Sequence, residues 1–415
     1  MQSTILQRLR SPFADLPRPI WALFVGNVVN YAGNFVWPLL TLLLTDRLGL
    51  SAAVAGVYVS LAVFAYMPGT ALGGRLADRY GRKRVFVLSR AASALLLVPC
   101  ALFEPSLTLV WLIIASRTLT AAADPALSAM AADLASGERR AKAISLLYLG
   151  LNLGFAVGPL LAGLLYRDHL PWIFLGNALA TFGSALVVLF FVPETLGHDR
   201  GKEPDAERPI EGSLWSVARA RPQLLPLGVA LVLLSVTYVQ SSFSLPLEAR
   251  LLLGDEAGPR AYGVAMGVNG LAVVLATFLT ARLTYPSLLQ IAFGGALYAV
   301  GFGAVGLVQG VPGLIATTIV WSFGEVLVAN HWRIYVSDQS PSSHRARLQG
   351  LMSLVVGAGF ILGPLLAGSL IETFGLSSVW LGCLVAAGSG SALLAAYHMR
   401  RQRQAAARPV TPQTA

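Results

Sequence analysis

Charge is what this chain lacks most. Only 12% of its 415 residues are Asp, Glu, Lys or Arg, against 55% hydrophobic, and its mean hydropathy is +0.67. A globule of this composition has too little polar surface to cover itself, so its solvent must be lipid. Cysteine is nearly absent too. Cys100 and Cys383 sit in separate apolar runs, read as small core residues, and imply no disulfide framework. The five histidines, His169, His198, His331, His344 and His398, are scattered, with no H-E-x-x-H pair and no clustered cysteine or nucleophile motif. Neither an enzyme nor a metal site is expected. Lysine is confined to Lys83, Lys142 and Lys202, none of them in G-x-x-x-x-G-K-[ST]. Without a phosphate-cradling loop, no cofactor is expected, and uphill work by this chain alone must draw on an ion gradient. Met1 to Pro19 is polar and basic, has no small-residue cleavage site after a short apolar core, and runs into a full-length span, so no removed signal peptide is expected.

What the chain has in abundance is long apolar runs. About 20 residues cross the hydrocarbon of a bilayer, and runs of that length recur at 20–44, 54–76, 84–103, 107–133, 141–166, 170–192, 223–247, 260–283, 287–309, 312–336, 347–372 and 377–399. The expected fold is therefore an all-α integral membrane protein of twelve transmembrane helices. The 41 glycines and 23 prolines fit, since membrane helices tolerate both. The widest polar gap, Pro193 to Pro222, reads as a cytoplasmic linker between a six-helix bundle over 1–192 and a second over 223–415, which ends in a short basic tail. The net charge of +10 is accounted for by topology rather than nucleic acid. Arg47, Arg167, Arg250 and Arg260 fall on one side of this layout, and more than twenty Lys and Arg on the other, including Arg8, Arg10, Arg18, the 75–84 cluster, Arg139, Arg140, Lys142, Arg200, Lys202, Arg345, Arg347 and the arginines from Arg400 to Arg408. Positive residues stay inside, which sets both termini in the cytoplasm of a multi-pass protein of the cell inner (plasma) membrane.

An internal repeat supports the division. Gly154-Phe155-Ala156-Val157-Gly158-Pro159-Leu160-Leu161-Ala162-Gly163 returns as Gly359-Phe360-Ile361-Leu362-Gly363-Pro364-Leu365-Leu366-Ala367-Gly368, eight of ten positions identical at an offset of 205. The glycines and proline are placed alike, so the halves are expected to be pseudo-symmetric bundles. Small residues four apart let helix backbones approach closely, the main packing device where lipid offers no hydrophobic drive. Gly154, Gly158, Pro159 and Gly163, with Gly359, Gly363, Pro364 and Gly368, are thus expected to build interface helices.

The densest polar feature lies between the second and third runs. Residues Gly73 to Arg84 hold six charges and three glycines in twelve positions. The spacing G-x-x-x-D-R-x-G-R-K, carried by Gly74, Asp78, Arg79, Gly81, Arg82 and Lys83, resembles the loop between helices 2 and 3 of the major facilitator superfamily. Gly74 is expected to let the end of the second span pack closely, and Gly81 to suit the reversal. Asp78 is expected to cap either the next segment or a helix of the other half. The resemblance implies a cytoplasmic latch between the halves, with Asp133 as partner of Arg82. The equivalent second-half turn, Arg282-Leu283-Thr284, lacks the motif. The run around Gly154 is similar to the antiporter motif of drug:proton antiporters, although generic close packing explains each glycine equally well.

Charges deep in a span are more telling, each costing about 2.5–3.5 kcal/mol on insertion scales. Arg117 lies mid-way along the fourth run, with Asp124 two helical turns on. Glu325 is near the centre of the tenth, in Trp321-Ser322-Phe323-Gly324-Glu325, and Gly-Glu there resembles proton-coupled multidrug antiporters. A carboxylate in a low-dielectric medium can exchange a proton near neutral pH, so Glu325 and then Asp124 are candidate proton carriers. A permanently neutral or ion-paired structural carboxylate is the competing reading. Asn27, Asn30 and Asn34 share one face and, with Tyr31, Arg117, Gln240 and Asn269, are candidates to line a substrate cavity. Trp37, Tyr238, Phe243 and Trp321 offer an apolar wall or simply core. The family's proline five residues after the glutamate is replaced by Asn330, and His331 and Arg333 follow. Arg333 either snorkels to the membrane face or meets an anionic substrate.

The expected function is secondary active transport by alternating access: proton-coupled export of drugs or other small amphipathic molecules by a monomer. The alternative is proton-coupled import or export of a particular metabolite or lipid, whose acidic group pairs with Arg117 or Arg333. A non-transporting membrane receptor or enzyme is the remote one.

Overall fold

Apolar sequence of this length has few ways to satisfy its backbone in lipid, and the helix is the one that needs no neighbour. The computed structural model describes residues 13–197, 221–280, 284–340 and 344–406, and among them every regular element is helical. The first half of the chain forms α1 (Arg18–Ala32), α2 (Val36–Leu42), α3 (Ala52–Tyr80), α4 (Arg82–Leu102), α5 (Leu107–Asp133), α6 (Glu138–Leu165) and α7 (Leu170–Phe191). The second half forms α8 (Leu224–Tyr238), α9 (Leu245–Thr280), α10 (Ser287–Gly303), α11 (Val311–Asp338), α12 (Arg345–Phe374) and α13 (Ser377–Ala406). Among the described residues, eleven helical stretches are long and apolar enough to cross a membrane. Leucine, phenylalanine and valine side chains such as Leu88, Leu95, Phe190, Leu225, Leu271 and Val385 point outward uncovered, as a lipid-facing surface requires. Most of the expected linker, the Arg282-Leu283 pair, and Arg8, Arg10 and Arg408 near the termini lie outside the described residues.

Two expected spans are not straight helices. The run 20–44 breaks at Gly33, and α2 restarts at Val36, whose N–H donates to Asn177 Oδ1 at 3.3 Å. The described parts of the runs 223–247 and 260–283 belong to a single helical stretch, Leu224–Thr280. Inside it the chain leaves the α-helix after Tyr238, makes a short 3₁₀ turn over Val239–Ser241, and resumes at Leu245. It doubles back at Gly254, whose φ of 81° suits glycine, and Gly258 then lies against the backbone of Ala249 and Arg250. The breaks at Gly33 and Val239 sit close to the repeat offset of 205, so both halves interrupt their first helix at the same place.

Packing follows the same repeat. In the first half α1 lies on α6 and α7, α3 on α5, and α4 on α5 and α7. In the second half α8 lies on α12 and α13, α9 on α11, and α10 on α11 and α13. The glycine motif has one job in each copy. Gly154 and Gly158 let α6 lie against the backbone of α1 at Val28, Tyr31 and Ala32, while Gly359 and Gly363 let α12 lie against α8 at Val232 and Val236. The last glycine of each motif faces across the molecule: Gly163 abuts Pro259 and Gly263 of α9, and Gly368 abuts Ala52 and Ala53 of α3. The carbonyls of Pro159 and Pro364 fill the space beside Gly263 and Gly56. Helix pairs α6–α9 and α3–α12 thus join the first half of the chain to the second.

Polar bonds reinforce that joint toward the end carrying Asp46 and Arg250. Ser60 Oγ donates to the Ile361 carbonyl at 2.6 Å, Ala53 N–H to Glu372 Oε1 at 3.1 Å, and Thr41 Oγ1 to the Ser242 carbonyl at 3.2 Å. Arg250 pairs with Asp46 at 2.9 Å and Arg260 with Asp168 at 3.3 Å.

One glycine assignment needs correcting. At Gly74 an added Cβ would meet only the Pro125 side chain, at 3.8 Å, an ordinary contact. The close approach is one residue earlier, where Gly73 lies on the backbone of Ala122 in α5. Helix geometry, not motif position, decides which of two adjacent glycines faces its neighbour. Gly73→Val should therefore overpack α3 against α5 and destabilise by about 1–3 kcal/mol. Gly74→Ala should leave stability unchanged or raise it slightly, since alanine favours helix. Melting temperatures of the two purified variants, compared with the unsubstituted chain, check the contrast.

Candidate functional site

The break after α1 opens a cavity of about 180 Å³ in the first half of the chain. Bent at Gly33, the chain presents Asn30, Tyr31, Asn34 and Trp37 to the same space as Tyr66 of α3, Arg117, Thr120 and Asp124 of α5, and Asn177 of α7. Asn30, Tyr31, Asn34, Arg117 and Asp124 of the sequence candidates are thereby brought together.

Asp124 is held on both oxygens. Arg90 of α4 donates from Nη2 to Oδ1 at 3.1 Å, and the Tyr66 hydroxyl donates to Oδ2 at 2.5 Å. Arg90 is only 1% exposed and spends its other terminal nitrogen, Nη1, on Asn30 Oδ1 at 2.7 Å. This Arg90–Asp124 pair cancels two charges in the membrane interior, and Asn30 serves Arg90 as well as lining the cavity.

Arg117 is placed differently. Its guanidinium carbon lies 4.3 Å from the Trp37 ring centroid and 5.3 Å from that of Tyr66. Among the described residues it makes no hydrogen bond or ion pair, and its Nε is buried without a partner. Aromatic faces stabilise a desolvated cation by about 2 kcal/mol, yet they leave its N–H donors unsatisfied.

The second polar centre lies in the second half. Glu325 of α11 is half-buried and accepts from Tyr238 at 2.9 Å and from Asn269 Nδ2 at 3.0 Å. Asn269 also donates to Ser322 Oγ at 2.8 Å. Tyr238 stacks on Tyr298 and meets Trp321 and Phe360 edge-on. Asn269 therefore belongs to Glu325 and not to the first-half cavity. Two other cavity candidates are corrected as well. Asn27 is buried, its amide donating to the Leu147 carbonyl at 2.8 Å, and it ties α1 to α6. Gln240 is buried at the α8 break, bonded to the carbonyls of Val236 and Gly363 and to Ser244. Asn27 shares a helix face with Asn30 but meets α6 first, and Gln240 meets α12 at Gly363. Phe243 is wholly buried. Arg333 is exposed and lies over Trp332, and His331 Nδ1 contacts the Leu327 carbonyl.

At the 78–84 turn, Arg82 and Asp133 form an ion pair, both within the first half. Asp78 and Arg79 are exposed, Lys83 half-buried. The cap on α4 is not Asp78. Glu194, just beyond α7, accepts from the N–H groups of Arg82 at 2.9 Å and of Lys83 and Arg84 at 3.4 Å each. Gly81, with φ of 110°, leaves room for that carboxylate, which a Cβ would strike. Asp78 precedes the reversal, so its side chain stays on α3, whereas Glu194 arrives end-on at the positive pole of α4. Partial burial pushes the Glu194 carboxyl up, but backbone N–H donors from Leu196, Lys83, Arg82 and Thr195 outweigh this and hold it below the usual carboxylate range.

Sequence reasoning passed over Arg90, Glu194 and Tyr66. Arg90 did carry a signal, an arginine within the apolar run 84–103. Glu194 carried none, because its partners are about 110 residues distant in sequence.

Two predictions follow from this geometry. Glu194→Ala should cost about 1 kcal/mol near neutral pH. A carboxyl held below its usual value stabilises above about pH 4.3 and loses that effect as pH falls. The melting-temperature gap to the unsubstituted chain should therefore narrow below about pH 4. Arg90→Met should strand Asp124 and destabilise by about 3 kcal/mol, the lower end for a broken buried pair because Asp124 is partly exposed. The double substitution Arg90→Met, Asp124→Leu should recover part of the loss, which a double-mutant cycle of unfolding in detergent measures.

A family model described as Major Facilitator Superfamily matches residues 23–330 and 251–414. Similar proteins include the uncharacterized MFS-type transporter YttB of Bacillus subtilis (strain 168), 26% identical over 382 residues, covering 89% of this chain and 92% of that one. A Na(+), Li(+), K(+)/H(+) antiporter of Planococcus maritimus is 24% identical, covering 85% and 89%. The class C tetracycline resistance protein of Escherichia coli is 24% identical, covering 89% and 92%. Among solved structures, a POT family transporter in complex with a thioalcohol-conjugated peptide superposes with a TM-score of 0.73 at 14% identity, covering 93% and 96%. This last likeness concerns the fold alone.

Proposed function

The chain belongs to the major facilitator superfamily, a family of multi-pass membrane transporters, and on that premise we propose that it is a proton-coupled exporter of small amphipathic molecules working by alternating access. The proposed architecture is twelve transmembrane spans in two pseudo-symmetric six-helix bundles, 1–192 and 223–415, with 193–222 as linker. The paired packing of α1 to α7 and α8 to α13, related by the 205-residue repeat, supports it. The helical stretch Leu224–Thr280 counts as two spans in this reading, divided at the Gly254 reversal. The basic end is taken as cytoplasmic, with both termini there, in the cell inner membrane. The bonds joining the halves gather at the opposite end, which fits a state closed to the outside and open to the cytoplasm. In that state the Arg82–Asp133 pair, within one half, is available to re-form contacts across the cytoplasmic side when the protein turns outward. Drug or antiporter roles of the relatives agree with export: one relative is a tetracycline resistance protein and another exchanges cations for protons.

One observation carries the coupling proposal. Among the described residues, Asp124 in the first half and Glu325 in the second each lie within an apolar span and accept from a tyrosine hydroxyl, Asp124 from Tyr66 and Glu325 from Tyr238. A further buried carboxylate, Glu248 of α9, follows the run 223–247 and accepts from Trp380 Nε1 instead. Asp124 also has Arg90, a bonded cation that matches its charge, which favours a structural role. Glu325 has only neutral donors, so its charge is uncompensated by any bonded cation and it is the site that gains and loses the proton. Protonation removes the cost of a buried charge in one conformation and thereby shifts the balance between inward- and outward-open states. Substrate must bind the two states unequally for that shift to drive export.

Glu325→Gln should abolish proton-driven uphill efflux in energised vesicles while keeping substrate binding or downhill exchange. Undiminished uphill efflux by this variant overturns the assignment of Glu325.

A further inference from the structure

The charges around the first-half cavity do not balance. Arg90 and Asp124 cancel each other, and Arg117 is left over. A guanidinium in the membrane interior costs about 2.5–3.5 kcal/mol on insertion scales, and such groups face a partner or a water-filled path. Here Trp37 and Tyr66 supply ring contacts to the cation and leave its hydrogen-bonding capacity unused. The planar fork of N–H donors on a guanidinium matches a carboxylate and pairs with it in two parallel bonds.

We propose that this cavity takes a small organic anion, with its carboxylate paired to Arg117 and its apolar body against Tyr31 and Phe155. The inference rests on the exporter reading above and names the charge class of its cargo. Asn34, Asn177 and Thr120 border the same space and offer hydrogen bonds to further polar groups on the ligand. A cationic cargo fits poorly. Among the described residues the only carboxylate lining the cavity is Asp124, and both its oxygens are already engaged by Arg90 and Tyr66. Size points the same way as charge. The cavity, at about 180 Å³, is smaller than the roughly 300 Å³ at which drug-sized ligand pockets begin. A compound with one ring or a short chain fits this state, and a bulky polycyclic cation does not.

The test is equilibrium binding to the full purified chain in detergent, by titration calorimetry near neutral pH. Benzoate, phenylacetate and hexanoate are compared with neutral benzamide and cationic benzylamine. At least one carboxylate should bind, and benzamide should bind at least about tenfold more weakly than benzoate. Arg117→Gln should weaken the carboxylate by about tenfold or more, and Arg117→Lys, which keeps the charge but not the fork, should fall between. Carboxylate binding should also change the tryptophan fluorescence, and Trp37→Phe should remove that change. The contrast between benzoate and benzamide on the unsubstituted chain needs no variant to fold. Equal binding of acid and amide, tighter binding of benzylamine or of an alkali cation, no binding by any carboxylate, or an unchanged affinity in folded Arg117→Gln each overturns the proposal. No gradient or turnover enters this measurement. Failure here alongside intact proton-driven efflux removes only the anionic class, whereas carboxylate binding without proton-driven efflux removes only the exporter reading.

Discussion

A charge in hydrocarbon must either be neutralised or be used, and most of this molecule's polar architecture follows from that constraint. Few ionisable side chains enter the apolar interior, and each has a distinct environment. Arg90 and Asp124 are bound to each other and are further satisfied by Asn30 and Tyr66. Glu325 is met by a hydroxyl and an amide, which bond a carboxylate without matching its charge. Arg117 has aromatic faces and no bonded counter-charge. Because pairing removes most of the energetic reason for a group to change state, the incompletely matched Glu325 and Arg117 are the groups on which the proposed coupling and cargo recognition rest.

The same lipid that penalises charge removes the hydrophobic drive between helices, so backbone approach has to hold the assembly together. In each half the first two glycines of the repeat seat one helix on the broken first helix of its own half, and the third faces the other half. One short motif thus serves packing within the half and contact between halves. Close packing explains each of these glycines, the first two of each motif within a half and the third between the halves. The breaks at Gly33 and Val239 lie beside these contacts, and the first of them shapes the cavity.

Much of the helical layout was legible from run length alone, because a bilayer sets a minimum span and the polar gaps between runs are short. The broken helices were not legible. Nothing in the composition of the runs 20–44 or 223–247 distinguishes a straight helix from one interrupted mid-way. The Gly33 break is stabilised by Asn177, about 140 residues away in the chain. The cavity residues were partly legible for the same reason. Asn30, Tyr31, Asn34, Arg117 and Asp124 were candidates as polar groups or aromatics in apolar runs, but so were Asn27 and Gln240, which neighbouring helices absorb. Polarity in a span marks a residue that needs a partner, without saying whether that partner is protein or ligand.

By itself, then, the sequence determined the solvent, the helical class, the repeat and the superfamily, since each depends on composition or on spacing within a short stretch. Tertiary structure alone decided which of two adjacent glycines makes the close contact, that Glu194 and not Asp78 caps α4, that Arg90 neutralises Asp124, and that Arg117 has no bonded counter-charge among the described residues. These are contacts between segments far apart in the chain. They depend on helix rotation and on which side chain reaches a neighbour first, and a linear pattern records neither.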